Sequence, residues 1–189
     1  MNKIFRPYLT LALAGSLLAF TSCDDHGDEP HSHEEGELIT TVTLTMTPQD
    51  GGTPITATYR DVDGRGGDDP VMTPANVVLQ AGTVYNTNIT LMDDSHDAED
   101  LTAEIRAEGA EHELFFEPSP AGLVTVTKTD RDSNNRPIGL ESTIETSQTA
   151  QAGTLHVVLK HQPGGLKTDN STVNTGETDV DVTYSITLQ

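Results

Sequence analysis

The amino-acid sequence predicts a mostly β protein, folded as an antiparallel, Ig-like β-sandwich of about eight or nine strands with one short helix. The end of the chain gives the clearest pattern, because apolar residues from Val180 to Leu188 alternate with polar residues. A period of two is typical of a strand with one buried face. Comparable segments rich in Val, Ile and Thr recur between Gly, Pro, Asn and Asp residues. Trp is absent and aromatic residues make up 4% of the chain, so the core has to be mainly aliphatic.

The same period predicts the strands in order along the chain. They cover residues 38–47, 55–59, 77–79, 84–92, 114–116, 124–128, 138–144, 155–161 and 180–188. The segment 97–108 departs from this period, and its apolar residues recur at helical spacing. We expect a helix of about three turns there. Ser95 or Asp97 would cap its start and Gly109 would end it.

Residues 1–22 have the composition of a bacterial secretion signal. Lys3 and Arg6 precede an apolar stretch, 8–20, that is shorter than the about 20 residues of a membrane-spanning helix. The sole cysteine, Cys23, follows two small residues, and this junction resembles the lipobox of bacterial lipoproteins. We therefore expect cleavage before Cys23, its acylation with palmitate or a related chain, and a membrane anchor. The alternative is an ordinary signal, whose cleavage would leave a free thiol.

An acidic, histidine-bearing tether, residues 23–37, is predicted to follow the signal. It contains almost no apolar residues, so it cannot bury enough surface to fold and should be disordered. Imidazole and carboxylate groups together suit zinc or copper. The candidate metal ligands in the tether are His26, His31, His33, Glu34 and Glu35. The alternative is a solvated spacer that holds a single domain, residues 38–189, away from the membrane.

The charge of the chain excludes one class of partner. The formal net charge is −20 at pH 7, and every acidic residue follows the predicted signal. A surface this negative repels nucleic acid and attracts cations. We expect no nucleic-acid partner and no disulfide within the chain, and a metal site would have to use histidines and carboxylates.

Two acidic loops each have two readings. The first loop contains several glycines between the carboxylates of Asp61, Asp63, Asp68 and Asp69. Calcium-binding loops use closely spaced carboxylates near a glycine to direct their oxygens at one ion. The second loop, 130–135, has Asp at alternate positions followed by Asn. Neither has the bidentate Glu of an EF-hand loop. Asp, Asn and Gly are also favoured in polar turns for backbone reasons, and the turn is the preferred interpretation of both loops.

Two histidines of the domain are candidates for a further metal site. His156 and His161 are five residues apart on one predicted strand, so they face opposite sides and cannot share a site through that strand alone. His161 shares the face of the apolar residues of its strand, and His112 lies between two acidic residues. A site containing His112 and His161 is one hypothesis. The alternative is that each is a polar residue at the rim of the sandwich.

The sequence offers little support for catalysis. It contains no nucleophile elbow, no phosphate-binding glycine loop, no zinc-protease helix motif and no cysteine nucleophile in the domain. We therefore expect a protein that is not an enzyme.

Several segments carry a resemblance to known proteins. They read HEEGELITTVTLTMTP, DVDGRGG, AEDLTAEIRAEGAEHELFF, LKHQPGGLK and TDVDVTYSITL. Together they resemble a group of short, His-rich lipoproteins from Bacteroidetes, often loosely labelled type 1 periplasmic-binding-fold proteins. That label implies an α/β fold, whereas the alternation predicts β structure, and we follow the alternation. The resemblance implies an accessory of a TonB-dependent receptor at the outer membrane, facing the cell surface or the periplasm.

These observations lead to two functional hypotheses. The first is a lipid-anchored cell-envelope protein that captures a divalent transition metal, zinc or copper, and presents it to an outer-membrane receptor. Calcium at the first acidic loop is a further candidate cofactor. The second hypothesis is a structural, adhesion or glycan-binding surface module that needs no metal.

Overall fold

Two β-sheets packed face to face make up the computed structural model, which describes residues 37–64 and 67–189. The mostly β architecture, the sandwich and the single short helix of these residues confirm the sequence prediction. The elements in chain order are β1 (Thr41–Pro48), β2 (Ile55–Arg60), β3 (Val71–Thr73), β4 (Val77–Leu79), β5 (Val84–Asp93), β6 (Glu99–Asp100), α1 (Thr102–Ala107), β7 (His112–Ser119), β8 (Val124–Lys128), β9 (Glu141–Thr146), β10 (Ala152–His161) and β11 (Glu177–Leu188).

The strands are divided unequally between the two sheets. The first sheet has the order β3-β2-β1-β5-β9-β8, with β6 paired to the end of β5. The second sheet has the order β4-β11-β10-β7. Neighbouring strands are antiparallel except β4, which runs parallel to β11. The antiparallel prediction is wrong for this one pairing. The chain crosses from β3 in the first sheet to β4 in the second, so no hairpin joins β4 to β11 and sets their relative direction.

One apolar core lies between the sheets. Leu44 of β1, Tyr85 of β5, Val157 of β10 and Tyr184 of β11 are buried in the same cluster. The Tyr184 hydroxyl donates a hydrogen bond to the Val42 carbonyl oxygen at 3.2 Å, and this bond joins the two sheets. Burial of the inward side chains of both sheets stabilises the sandwich, and the hydroxyl finds the partner that a buried polar group needs.

The described residues form eleven strands, where the sequence predicts eight or nine. The two additional strands, β3 and β6, are three and two residues long. Strands this short contain too few residues to show a period of two. These two strands are recognisable only from their pairing with β2 and β5, which the sequence does not show.

The helix α1 is shorter than the predicted three turns, and neither predicted capping residue lies at its start. The residues before it pair with β5 instead, because the Leu101 amide donates to the Leu91 carbonyl oxygen at 3.0 Å. The Leu91 amide in turn donates to the Thr102 hydroxyl at 2.9 Å. Ile105 anchors the remaining helical turn in the core. Among the described residues, no helix has the length and apolar character needed to cross a membrane.

The second acidic loop is a hydrogen-bonded turn. The buried carboxylate of Asp130 accepts hydrogen bonds from the amides of Gly139 (2.8 Å) and Leu140 (3.0 Å). Asp132 pairs with the buried ammonium group of Lys167 at 3.0 Å. These carboxylates therefore satisfy backbone amides and a lysine, in agreement with the preferred interpretation of this loop.

We predict that Asp130→Ala lowers the free energy of unfolding by about 2–4 kcal/mol, because it leaves two buried amides without an acceptor. Asp50→Ala is the matched control, since Asp50 is exposed, and should change stability by less than about 0.5 kcal/mol. Urea denaturation followed by circular dichroism measures both. Equal stability of the two variants would contradict the structural role of Asp130.

Candidate metal centre

The register of the second sheet brings His112 and His161 together. They are directly opposite each other in the antiparallel pairing of β7 with β10. Their rings stack with centroids 4.6 Å apart and planes inclined by 8°. Cross-strand partners on one face of a sheet are in side-chain contact. The structure therefore places the two domain histidines of the sequence hypothesis side by side at the end of the core.

A β-bulge adds Asp179 to this pair. Leu159 is paired with Val180, but Lys160 is paired with Thr178, so Asp179 is an extra residue in β11. Bulges re-aim side chains by interrupting the alternation of a strand. The Asp179 side chain is 0% exposed and lies 3.8 Å from His112 Nε2 through its Oδ2 atom. Strict alternation predicts Asp179 on the solvent face together with Asp181, and the bulge makes that prediction wrong.

The three side chains offer a metal-ligand set. One donor atom each from His112, His161 and Asp179 lies within 4.8 Å of the other two. Around a tetrahedral zinc ion with bonds of about 2.0–2.1 Å, donor atoms are about 3.3 Å apart. The separation of 3.8 Å between His112 and Asp179 is near that value. The set can hold a small divalent ion after a contraction of about 1.5 Å or less together with rotation of one imidazole, because lone pairs in two nearly parallel ring planes do not meet at one point.

The hydrogen bonding of His112 leaves its Nε2 atom free to bind an ion. Its Nδ1 atom lies 3.3 Å from the Glu108 carbonyl oxygen. A carbonyl oxygen only accepts, so Nδ1 carries the proton and Nε2 carries the lone pair. Metal-ligating histidines commonly donate their second ring N–H to a carbonyl oxygen in this way. Nε2 of His112 is buried and has no hydrogen-bond partner among the described residues.

The electrostatics of the cluster disfavour its charged forms. Burial, assisted by the nearby His161, lowers the pKa of His112 to about 4. Burial raises the pKa of Asp179 to about 6, and both of its carboxylate oxygens are buried without a hydrogen-bond partner. At neutral pH the cluster therefore contains a neutral imidazole and an ionised carboxylate whose burial is only partly offset by His161 and Lys160, and these are the ligand forms that a divalent cation binds.

Further carboxylates surround His112. Glu37 and Glu108 form a second group with this histidine, again with donor atoms within 4.8 Å of one another. Burial raises the pKa of Glu37 to about 7, with additional contributions from the charges of Glu104, Glu108 and Asp179. Glu111 Oε2 lies 3.9 Å from His161 Nε2. The site is therefore negative on several sides, which favours a cation and disfavours an anion.

Two residues outside the ligand set hold its backbone in place. The buried Lys167 ammonium donates hydrogen bonds to the carbonyl oxygens of Gly109 (2.6 Å) and His112 (2.9 Å). Gly176, with φ of +79°, packs directly on the His161 carbonyl, and a Cβ atom there would collide with the carbonyl oxygen. The ends of β7 and β10 are thereby fixed before any ion binds.

A cleft of about 270 Å³ gives access to the site. Glu37 and Asp179 line it together with apolar residues of β1 and β11. The His161 side chain is 17% exposed, whereas those of His112 and Asp179 are fully buried. An ion would therefore reach the buried donors through the cleft or past His161.

The other predicted site residues are not part of this cluster. Cys23 and the tether ligands His26, His31, His33, Glu34 and Glu35 lie outside the described residues. His156 is on the outer face of the second sheet, between Glu117 (3.1 Å) and Asp181 (2.8 Å). Burial opposes its protonation, but these two carboxylates outweigh burial and raise the pKa of His156. His156 and His161 thus face different environments, as their spacing predicts.

The first acidic loop does not converge on a common point. Asp63 accepts a hydrogen bond from the Asp68 amide at 2.7 Å, and this bond lowers the pKa of Asp63. Asp61 accepts one from the Tyr59 hydroxyl at 3.2 Å. Within the described part of the loop, which omits residues 65–66, no three carboxylates come within 4.8 Å of one another. Calcium binding by Asp61, Asp63, Asp68 and Asp69 stays a prediction.

We predict that Asp179→Asn stabilises the metal-free protein at neutral pH. Because the folded pKa of Asp179 is raised, ionisation of this group destabilises the fold. That penalty is absent below about pH 4 and complete above about pH 6–7, where it amounts to about 2–3 kcal/mol. The variant and the natural chain should therefore be equally stable at pH 4 and diverge as the pH rises.

Denaturant unfolding at pH 4, 5.5 and 7.5 in a chelating buffer measures this difference. Asp97→Asn is the matched control, because it changes an exposed carboxylate away from the cluster. A stability gain of Asp179→Asn that does not depend on pH would contradict the proposed burial of the charge.

No family model, curated protein or solved structure matches this chain. The resemblance to Bacteroidetes lipoproteins therefore stays a prediction, and the function is argued from the geometry of the cluster.

Proposed function

We propose that the protein binds one divalent transition-metal ion, preferably zinc, at His112, His161 and Asp179. The observation that carries this proposal is the convergence of buried donor atoms, from His112 and Asp179, that have no hydrogen-bond partner among the described residues. Unpaired buried polar groups are rare because each costs free energy, so a set of them around one point requires an explanation. A bound cation supplies one.

The donor types favour zinc or copper over the hard cations. Two imidazole nitrogens and one carboxylate oxygen suit zinc and copper, whereas calcium and magnesium prefer oxygen donors only. Zinc accepts a tetrahedral arrangement with three protein donors and one further ligand. That fourth position would let another molecule bind the ion while the protein still holds it, as a presenting protein requires.

The proposed setting is the bacterial cell envelope. Cys23 would carry the lipid, and the tether histidines His26, His31 and His33 would collect the ion before it passes to the domain. Glu37, at the end of the tether, borders both the cleft and His112, so the tether is joined to the chain next to the site. A TonB-dependent receptor would then take the ion from the protein, which itself performs no catalysis.

We predict that the chain from Asp24 to Gln189 binds zinc with one site in the domain. Asp179→Asn should weaken this site by about 100-fold or more, because loss of an outer-shell partner alone costs 10–100-fold in other zinc proteins. The same variant should be more stable without metal, so a loss of affinity cannot be attributed to misfolding. Isothermal titration with Zn²⁺ measures the affinity and stoichiometry.

Two controls separate the domain from the tether. His156→Ala removes a histidine that is outside the cluster and should leave the domain site unchanged. His26→Ala, His31→Ala and His33→Ala combined should remove tether binding only. If neither the natural chain nor the triple variant binds Zn²⁺ or Cu²⁺, the metal function is wrong and the adhesion or glycan-binding hypothesis takes its place.

A further inference from the structure

One edge of β11 has no strand beside it. β11 pairs with β10 along almost its whole length, but with β4 only at Ile186–Leu188. On the side of β4, residues 177–185 therefore have no neighbouring strand within the described part of the chain. About half of the backbone N–H and C=O groups on an edge strand point away from the sheet. This edge can accept a further strand.

The edge is bordered by a groove rather than by open solvent. The cleft of about 270 Å³ that Glu37 and Asp179 line runs along four consecutive residues of β11, 179–182. Val42, Tyr59 and the segment 37–39 form its opposite wall. The free edge of β7 differs, because Pro118 in that strand has no amide N–H and the Leu114 amide already donates to the Ile138 carbonyl oxygen. The β11 edge is therefore accessible and also has side-chain pockets beside it.

The walls of the groove have a defined chemical character. Leu38 and Ile39 supply the accessible apolar surface, whereas Val42, Val180 and Val182 are buried beneath it. Glu37, Asp61, Asp179 and Asp181 supply carboxylates. Among these, Oε2 of Glu37 and Oδ1 of Asp61 are buried and accept no hydrogen bond from the described residues. Buried acceptors without donors favour an occupant that carries N–H groups and positive charge.

The charge also selects between occupants. The tether of this chain is acidic, and a second copy carries the same net charge of −20, so both would be repelled. A basic segment of another protein would be attracted. Strand addition is a common mode of peptide recognition, in which main-chain bonds supply affinity and alternate side chains supply specificity.

We propose that an extended peptide segment of a partner protein, with Lys or Arg at alternate positions, adds to the edge of β11 as a strand. Its apolar side chains pack on Leu38 and Ile39 of the groove, and its ammonium or guanidinium groups reach Asp61 and Glu37. This docking does not require a metal. Asp179 belongs to both the edge and the candidate metal centre, so a partner strand bound there lies next to the ion.

The test uses the chain from Asp24 to Gln189 and the synthetic peptide acetyl-KVKVTVK-amide. Hydrogen exchange with and without peptide should show protection of amides within residues 179–185. Fluorescence anisotropy should show that Asp61→Asn weakens binding about tenfold, as expected for a charge-assisted bond. Asp97→Asn, which changes an exposed acid away from the groove, is the matched control and should bind as the natural chain does.

Two further peptides exclude non-specific attraction to an acidic protein. Acetyl-KVKPTPK-amide keeps the charge but cannot form a continuous strand, and acetyl-EVEVTVE-amide reverses the charge. Both should bind at least about tenfold more weakly. Equal binding of the proline peptide, absence of protection in residues 179–185, or protection that grows with protein concentration without peptide would overturn the proposal. The last result would assign the edge to a second copy.

Metal and peptide binding are measured separately, so the two proposals can fail separately. If the peptide protects residues 179–185 in a chelating buffer but the chain does not bind zinc, the docking proposal is supported and the metal centre is wrong. If the chain binds zinc but the peptide gives no protection, the metal centre is supported and the docking proposal is wrong.

Discussion

The central constraint on this structure is a buried carboxylate, that of Asp179, which has no hydrogen-bond donor among the described residues. Taking a charged group out of water without a partner costs several kcal/mol. The carboxylates of Glu37 and Glu177 nearby add repulsion, since Asp179 raises the pKa of Glu37 and Glu177 raises that of Asp179. Groups that lower the stability of the fold and are nevertheless retained are typical of functional sites. A cation bound between Asp179 and the two histidines offsets the cost directly.

The sandwich supplies the rigidity that this arrangement needs. His112 and His161 are opposite each other because β7 and β10 pair in a fixed register, and the apolar core beneath them prevents slippage. The bulge in β11 then turns Asp179 inward at the same level. Lys167 and Gly176 fix the surrounding backbone. The backbone of the site is therefore ordered before an ion binds and only side chains reorient, unlike in a flexible tether, which would also have to order its backbone.

The sequence predicted the sandwich because strands such as β1 and β11 show their buried faces as alternation. It also identified His112 and His161, although one sequence contains no signal that pairs them, since strand order and register are tertiary properties. The alternation places Asp179 on the solvent face, because a bulge leaves no mark in a period of two. Glu37 was assigned to the tether, and its proximity to His112 becomes visible only when β1 is placed beside β5 and near β11.

X-ray diffraction at the zinc absorption edge, from a crystal of the natural chain grown with Zn²⁺, tests the metal centre most directly. We expect an anomalous peak about 2.0–2.1 Å from His112 Nε2, a His161 ring nitrogen and an Asp179 oxygen. The three donor atoms should also draw together from their separations of up to 4.8 Å. A zinc peak at the first acidic loop, or an ordered cluster with no peak between His112 and Asp179, would contradict it.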